Sequence, residues 1–282
     1  MSTTGAVEPT IVVMAAGLGR RFGGLKQIAP VGPRGESLLA YSLDDAAAAG
    51  FGRVVLVVRR EIEDAVLAHV RQHCGDRDYV AVHQDCFGPP RATPWGTAHA
   101  IVACRDAVAA PFAVVNADDL YGAAALTQLG EHLRGPDSGP GHAALVAYSI
   151  GDTLSAGGGV SRATVHVTAD GRLARIRERT GVRAVDGRIV SDTGELSPDS
   201  LVSMNLWGFD PSVFDLLAPL VDSFMADHPD DSEEIVLPDA VGTLIERGQI
   251  EVTVLPTTSR WVGITFAEDV APARAAVRAM RR

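Results

Sequence analysis

The chain has 282 residues, 46% of them hydrophobic and 21% charged, with a formal charge of −10. Such a composition belongs to a folded globular protein long enough for one large α/β domain, and it excludes a disordered chain. The acidic balance argues against a nucleic-acid or anionic-membrane surface, which needs many Lys and Arg contacts, and no run reaches the roughly eighteen apolar residues of a membrane span.

Cys74, Cys86 and Cys104 are odd in number and form no C-x-x-C pair. Neither a disulfide framework nor a structural zinc site is implied, and a reducing cytoplasm is the expected location. Residues 1–9 read as a frayed tail. Ile11-Val12-Val13-Met14 is short, apolar and β-branched, as a buried parallel strand requires. It opens directly into Ala15-Ala16-Gly17-Leu18-Gly19-Arg20-Arg21-Phe22-Gly23-Gly24-Leu25-Lys26-Gln27. The glycines let backbone amides converge on oxyanions, and Arg20, Arg21 and Lys26 add positive charge, so this stretch reads as a phosphate-binding loop. Two familiar glycine motifs fit poorly. A dinucleotide-binding Gly-x-Gly-x-x-Gly enters a helix at once, whereas Pro30, Gly32, Pro33 and Gly35 keep this chain irregular until about Ser37. A P-loop ends in Gly-Lys-Ser/Thr, where this chain has Leu25-Lys26-Gln27. An ordinary strand-to-helix turn is the alternative reading.

Met14 to Gln27 resembles the nucleotide-binding loop of the sugar-phosphate nucleotidyltransferases, or nucleotide-sugar pyrophosphorylases. Their pattern is an apolar strand, Ala-Gly-x-Gly-x-Arg, a short gap and a lysine. Gly17, Gly19, Arg20 and Lys26 fall on it, with Gly23-Gly24-Leu25 replacing the Pro-Leu-Thr often found before the lysine. The resemblance implies that Ala15, Ala16, Gly17 and Gly19 bind the nucleotide. It also implies catalytic roles for Arg20, on the leaving pyrophosphate, and Lys26, around the reacting phosphates.

Ser37 to Ala49 reads as a helix stopped by Gly50, Arg53 to Val58 as a strand and Glu61 to His73 as a helix, an alternation that marks a parallel sheet with helices on its faces. His69 and His73, beside Cys74, could be a metal pair; a solvated helix face is the better reading without a third ligand. Arg59 and Arg60 stand where a dinucleotide fold could hold an NADP phosphate, which keeps a dehydrogenase as a rival. Tyr79 to Gln84 is a strand, Asp85 to Pro94 a Pro- and Gly-rich loop, and Trp95 opens a helix to about Ala109. Gln84, Gly96 and Thr97 match the family's strand-end Gln and Gly-Thr turn, which implies that they hold the nucleobase, although the gap from Gln84 to Gly96 is longer than usual. An amide can give and accept hydrogen bonds with a base edge, and Gly lets backbone lie against the ring. An ordinary strand-end amide for Gln84 and simple packing for Trp95 are the alternatives.

Phe112 to Asn116 is a strand ending in Ala117-Asp118-Asp119, and the C-terminal edge of such a sheet is where ligands bind. The family's strand ends in Gly-Asp, so the resemblance assigns Asp118 to a catalytic Mg²⁺; the other Asp is expected to cap the helix from Gly122 to Leu133. Gly135 to Gly141 is a break in composition, and Ala143 to Ile150 the next strand. Beyond the Gly157 to Arg162 loop, hairpins turn at Asp170-Gly171 and Asp186-Gly187. By resemblance this is the acceptor half, with Arg162 closing its glycine loop, Glu178-Arg179 standing for a Glu-Lys pair that grips sugar hydroxyls, and Asn205, on the strand from Leu201 to Phe209, holding the sugar. Asn205 satisfying the backbone at a bulge is the alternative. Pro211 to Phe224 and Glu234 to Arg247 read as helices, Ile250 to Leu255 as a strand and Phe266 to Met280 as a closing helix. One departure is notable: many members carry Trp-x-Asp-x-Gly-Thr, whose Asp is a second metal ligand, and here Trp261 is followed by Val262-Gly263. Either Asp119 or another acid compensates, or Asp118, phosphates and water hold the metal; the second is expected.

The expected fold is a single α/β domain, residues 1–282, with a mostly parallel, doubly wound, Rossmann-like central sheet and a smaller antiparallel β portion. Residues of about 9–134 form the nucleotide-binding half and about 142–282 the acceptor half. The expected activity is Mg²⁺-dependent transfer of an NMP group from an NTP to a sugar 1-phosphate, with pyrophosphate released. A cytidylyltransferase acting on a non-sugar phosphate or phosphonate, an NADP-dependent dehydrogenase and a catalytically silent nucleotide-binding regulator are the alternatives. The expected partners are thus an NTP and a small phosphorylated acceptor, with neither nucleic acid nor membrane, and a homo-oligomer is compatible with the sequence.

Overall fold

The computed structural model describes residues 7–19, 22–155, 158–228 and 232–281. Most of the expected tail, residues 1–6, lies outside them; Pro9 is described, and its carbonyl accepts from the Gly52 amide. β1 (Thr10–Met14) and β2 (Val54–Val58) are the two most apolar runs of the N-terminal half and are buried, Met14 excepted, as strands covered on both faces must be. Between them α1 (Leu38–Ala48) starts where Ser37 Oγ accepts from the Ala40 amide, and Gly50 ends it as expected. α2 (Glu63–Cys74) and β3 (Tyr79–His83) follow. Gln84 is not the last residue of that strand; it opens a 3₁₀ turn, Gln84–Cys86.

α3 (Thr97–Val102) is shorter than expected. The Ala-rich stretch after it has helix propensity, but the chain needs those residues to turn into β4 (Phe112–Asn116), and Val108 is buried on the way. β5 (Asp119–Leu120) and α4 (Ala123–Arg134) come next. Neither Asp118 nor Asp119 caps α4; Ser259 Oγ accepts from the Ala125 amide instead, a long-range cap with no local signature. β6 (His142–Ser149) leads to a long meander, β7 (Val160–Val167), β8 (Leu173–Val185), β9 (Arg188–Ser191) and β10 (Gly194–Leu196). Arg162 therefore lies on a strand rather than at the end of a loop, and residues 156–157 of that expected loop lie outside the described residues. β11 (Leu201–Phe209), α5 (Val213–Asp227), α6 (Leu237–Glu246), β12 (Glu251–Pro256), β13 (Val262–Gly263) and α7 (Val270–Met280) complete the chain.

Among the described residues eleven strands form one sheet. One side of it runs β3-β2-β1-β4, all parallel, with Val12 opposite both Val55 and Val114. The antiparallel portion is continuous with it through β11. One edge of β11 is shared: Trp207 to Phe209 pair with β4, whereas Leu201 to Ser203 pair with β7. The register breaks between them, and Asn205 stands at the break with φ of +61°. The fold is mixed α/β with a Rossmann-like parallel core. Leu39 and Leu43 of α1, Val66 and Val70 of α2 and Leu126 and Leu129 of α4 pack on one face of the sheet. Ile101 of α3, Phe214 and Leu217 of α5 and Val241 and Leu244 of α6 pack on the other. No described helix is long and apolar enough to cross a membrane.

Candidate active site

A cleft of about 500 Å³ opens at the C-terminal ends of β1 and β4, where a parallel sheet presents its loops. Ala16, Gly17, Gly19 and Lys26 from the first loop line it, with Gln84, Gly96, Thr97 and Asp118. Ala15 lies beneath, buried, its amide donating to Val57 O. Arg20, expected on the pyrophosphate, lies outside the described residues, as does Arg21.

The loop is oriented by side chains that hold its carbonyls. Gln27 Nε2 donates to Ala15 O at 2.8 Å and to Gly17 O at 2.9 Å, and Arg59 Nε donates to Ala16 O at 3.0 Å. Within the described residues the amides of Ala16, Gly17, Leu18 and Gly19 have no acceptor. Successive free N–H groups at a strand end make an anion-binding concavity. Nothing in the sequence marks Gln27 for this role, because a polar residue after a loop lysine carries no signal of its own. Arg59, which kept the NADP reading alive, is bound to this loop and paired with Glu61.

Lys26 Nζ donates to Asp118 Oδ2 at 2.5 Å, which places a cation and a carboxylate together on the floor of the cleft. Asp119 is buried; Asn116 Nδ2 and the Tyr121 hydroxyl both donate to its Oδ2. Burial, and then the neighbouring Asp118 charge, push its carboxyl well above the usual range. Its other oxygen, Oδ1, lies only 2.6 Å from where a Cβ on Gly263 would stand, and the Trp261 ring is nearer still, at 2.2 Å. The space expected to hold the second carboxylate is thus filled by Asp119 and Trp261.

The α3 side of the cleft is built from Gly96 and its neighbours. Gly96 has φ of +113°, and a Cβ there would meet Ile235 O at 2.4 Å. The strap of residues 232–236 pairs with it: Ile235 N donates to Trp95 O, Ala98 N to Ile235 O, and Leu237 N to Thr97 Oγ1 at 2.7 Å. The Thr97 hydroxyl therefore ties the start of α6, where the strap ends, to the start of α3. Gln84 is buried, its Nε2 donating to Gly96 O at 2.9 Å.

A second, polar cavity of about 220 Å³ lies in the fork where β4 and β7 separate along β11. Arg162, Glu178 and Asn205 line it, and Asn116, Asp118 and Thr265 line both cavities. Arg162 donates from Nε and Nη2 to Thr153 O and stacks over Trp261 at 5.1 Å. Burial lowers its pKa, while Asp119 and Glu178 oppose that. Burial, then Asp239, raises Glu178. Asn205 Oδ1 accepts from Trp207 Nε1 at 3.3 Å, so part of its role is at the bulge. Arg179 does not line the cavity; its guanidinium donates to the Thr193 hydroxyl, because neighbours on a strand face opposite ways. His69 and His73 are remote from both cavities and only partly exposed, with His69 Nε2 at 2.8 Å from Ser37 Oγ. Their ring centroids are 4.5 Å apart, no group of three or more potential metal ligands occurs among the described residues, and the face they share is not fully solvated.

A loop with free amides, a lysine–aspartate floor and a strap against α3 thus stand on a parallel core, and the pattern of the MobA-like NTP transferase domain matches residues 11–185. The chain belongs to that family. It is a nucleotidyltransferase. No protein of curated function matches the sequence. Among solved structures, this NTP transferase is similar to a UDP-glucose pyrophosphorylase complexed with UDP-glucose, at 19% identity and a TM-score of 0.65 over 98% of this chain and 100% of that one. It is also similar to the inositol-1-phosphate CTP transferase from T. maritima, at 17% identity and a TM-score of 0.67 over 97% of each chain. At those identities the likeness is one of fold. The transferase's donor set suits Mg²⁺: Asp118 offers hard carboxylate oxygens at the meeting of the two cavities, and Mg²⁺ takes one or two carboxylates and completes its shell with phosphate oxygens and water.

Proposed function

We propose that the protein transfers an NMP group from an NTP to a sugar 1-phosphate and releases pyrophosphate. The observation that supports this most is that the loop cleft and the acceptor cavity meet at Asp118, beside the Lys26 ammonium. An acceptor phosphate oxygen attacks the α-phosphorus, and the bond from that phosphorus to the bridging oxygen of the β-phosphate breaks. A phosphate monoester is anionic near neutral pH, so no general base is needed. The free amides of residues 16–19 hold the triphosphate, and Arg20 the leaving pyrophosphate. Lys26 offsets charge on the reacting phosphates, so catalysis rests on positioning and charge. Gln84, Gly96 and Thr97 form the base side of the cleft. Glu178 and Asn205 bind acceptor hydroxyls, with Arg162 between them and the phosphate. Asp118 would hold Mg²⁺, which neutralises phosphate oxygens when bound.

Pyrophosphate release across a grid of NTPs and phosphorylated acceptors tests the reading. Turnover with a sugar 1-phosphate is the expected result. Turnover with inositol 1-phosphate in place of any sugar phosphate would move the protein to the polyol phosphates, the acceptor class in the name of the T. maritima neighbour. NTP binding without pyrophosphate release from any acceptor would make it a silent regulator. A metal titration adds a second check: Mn²⁺ should bind poorly to the protein alone and well with NTP, which supplies the missing oxygens. Tight binding without nucleotide would instead bring Asp119 into the metal site.

A further inference from the structure

His99 is fully buried within α3, and nothing in the transfer chemistry uses it. Its two ring nitrogens nevertheless have defined partners. Nε2 lies 3.0 Å from Phe87 O, which can only accept, so Nε2 carries the proton. Nδ1 is then bare, and it lies 3.3 Å from Gln84 Nε2. The opposite amide proton of Gln84 goes to Gly96 O at 2.9 Å. A turned amide would set Oε1 against both a carbonyl oxygen and a bare ring nitrogen, so this orientation is forced. Both Gln84 donors are spent inside the protein, and among the described residues its Oε1 has no partner, while the side chain lines the nucleotide cleft.

We infer that His99 is a positioning residue that locks Gln84 so that it offers the nucleobase an acceptor alone, which makes His99 a determinant of base choice. This rests on the nucleotidyltransferase reading of the cleft. The base favoured by such a site is one that turns a ring imide or exocyclic amine N–H toward Gln84, and a base edge bearing only acceptors there is rejected. Burial of the imidazole, which lowers its pKa to about 4, keeps Nδ1 bare at neutral pH.

Two substitutions separate the two halves of the device. Asn at 99 places an oxygen near the position of Nδ1 and keeps an acceptor for Gln84. Gln at 99 reaches the position of Nε2, keeps the link to Phe87 and leaves Gln84 free to turn. Dissociation constants for the four NTPs should show His99→Asn retaining the wild-type base preference and His99→Gln losing about tenfold of it, the scale of one unmade buried hydrogen bond. Preference kept by both variants, lost equally by both, or lost more in His99→Asn would overturn the inference, since a packing role makes the smaller Asn, which leaves the larger void, the more damaging change. Wild-type protein that binds no NTP would overturn the nucleotide reading itself. Should either variant fail to fold, long-range proton–nitrogen NMR of the wild-type protein serves instead: His99 should be protonated at Nε2 and bare at Nδ1, and the reverse tautomer overturns the lock.

Discussion

Lys26 is the residue whose loss should cost the most activity for the least structure. It is a partly exposed loop side chain that contributes charge rather than core packing, so Lys26→Ala should lower kcat by about 10²-fold or more while the melting temperature stays close to wild type. Near wild-type kcat in that variant would remove the loop from the mechanism. The two aspartates separate by environment. Asp118 faces both cavities, and Asp119 is held by Asn116 and Tyr121. Asp118→Asn should therefore be inactive at ordinary Mg²⁺ and Asp119→Asn milder; the reverse order in steady-state assays would exchange their roles. Lys26, Gly96, Thr97 and Asp118 could be picked out in the sequence because each lies in a short motif. Gln27 and His99 could not, because each acts through a contact that leaves no mark in the sequence: Gln27 on loop carbonyls, His99 on the far side of the Gln84 amide.

At the scale of elements, Gly96 and Ser259 test two different supports. Alanine at 96 would carry a Cβ into the Ile235 backbone at a φ that L-residues avoid, so Gly96→Ala should displace the strap from α3. The expected readout is a raised KM for NTP together with a lower melting temperature; an unchanged KM would show that the strap does not shape the base side. Ser259→Ala removes only the cap of α4, at about 1 kcal/mol, and should lower stability while leaving KM for both substrates unchanged. Strands and helices of the parallel core were legible because their apolar periodicities are local. The length of β8, the early end of α3 and the cap from Ser259 were not, since each is decided by what the chain meets far along the sequence.

For the whole molecule, the half-buried His69 makes stability depend on acid. Burial, and then His73, depress its pKa to about 4 from the usual 6.5. Between those values the unfolded chain binds a proton that the native state does not, so stability should fall as pH drops through that window. The buried Asp119 acts with opposite sign, so the clean measurement is a difference: melting temperatures at pH 7 and pH 5 for wild type and for His69→Gln, which keeps a partner for Ser37 but cannot titrate. The acid loss should be smaller in the variant, and an equal loss would remove His69 from the balance. The order of elements along the chain was visible in the sequence as a strand–helix alternation early and hairpins late. That one strand, β11, joins the two halves into a single sheet was not, because its register break at Asn205 appears only when β4 and β7 are both seen along one edge.

Positions 119 and 263 compete for one small volume, and this constrains how related sequences can drift. With Asp119 in place this chain has no room for a carboxylate at 263, because the Trp261 ring and then Asp119 Oδ1 already fill the space a side chain there would enter. Gly263→Asp alone should unfold at a lower temperature than wild type, and pairing it with Asp119→Gly should restore part of the loss; a single variant as stable as wild type would show the volume to be elastic. Two lineages that differ at these sites are then separated by intermediates that are either crowded or short of an acid, so the exchange is expected to be rare in ancestry and to change both positions together.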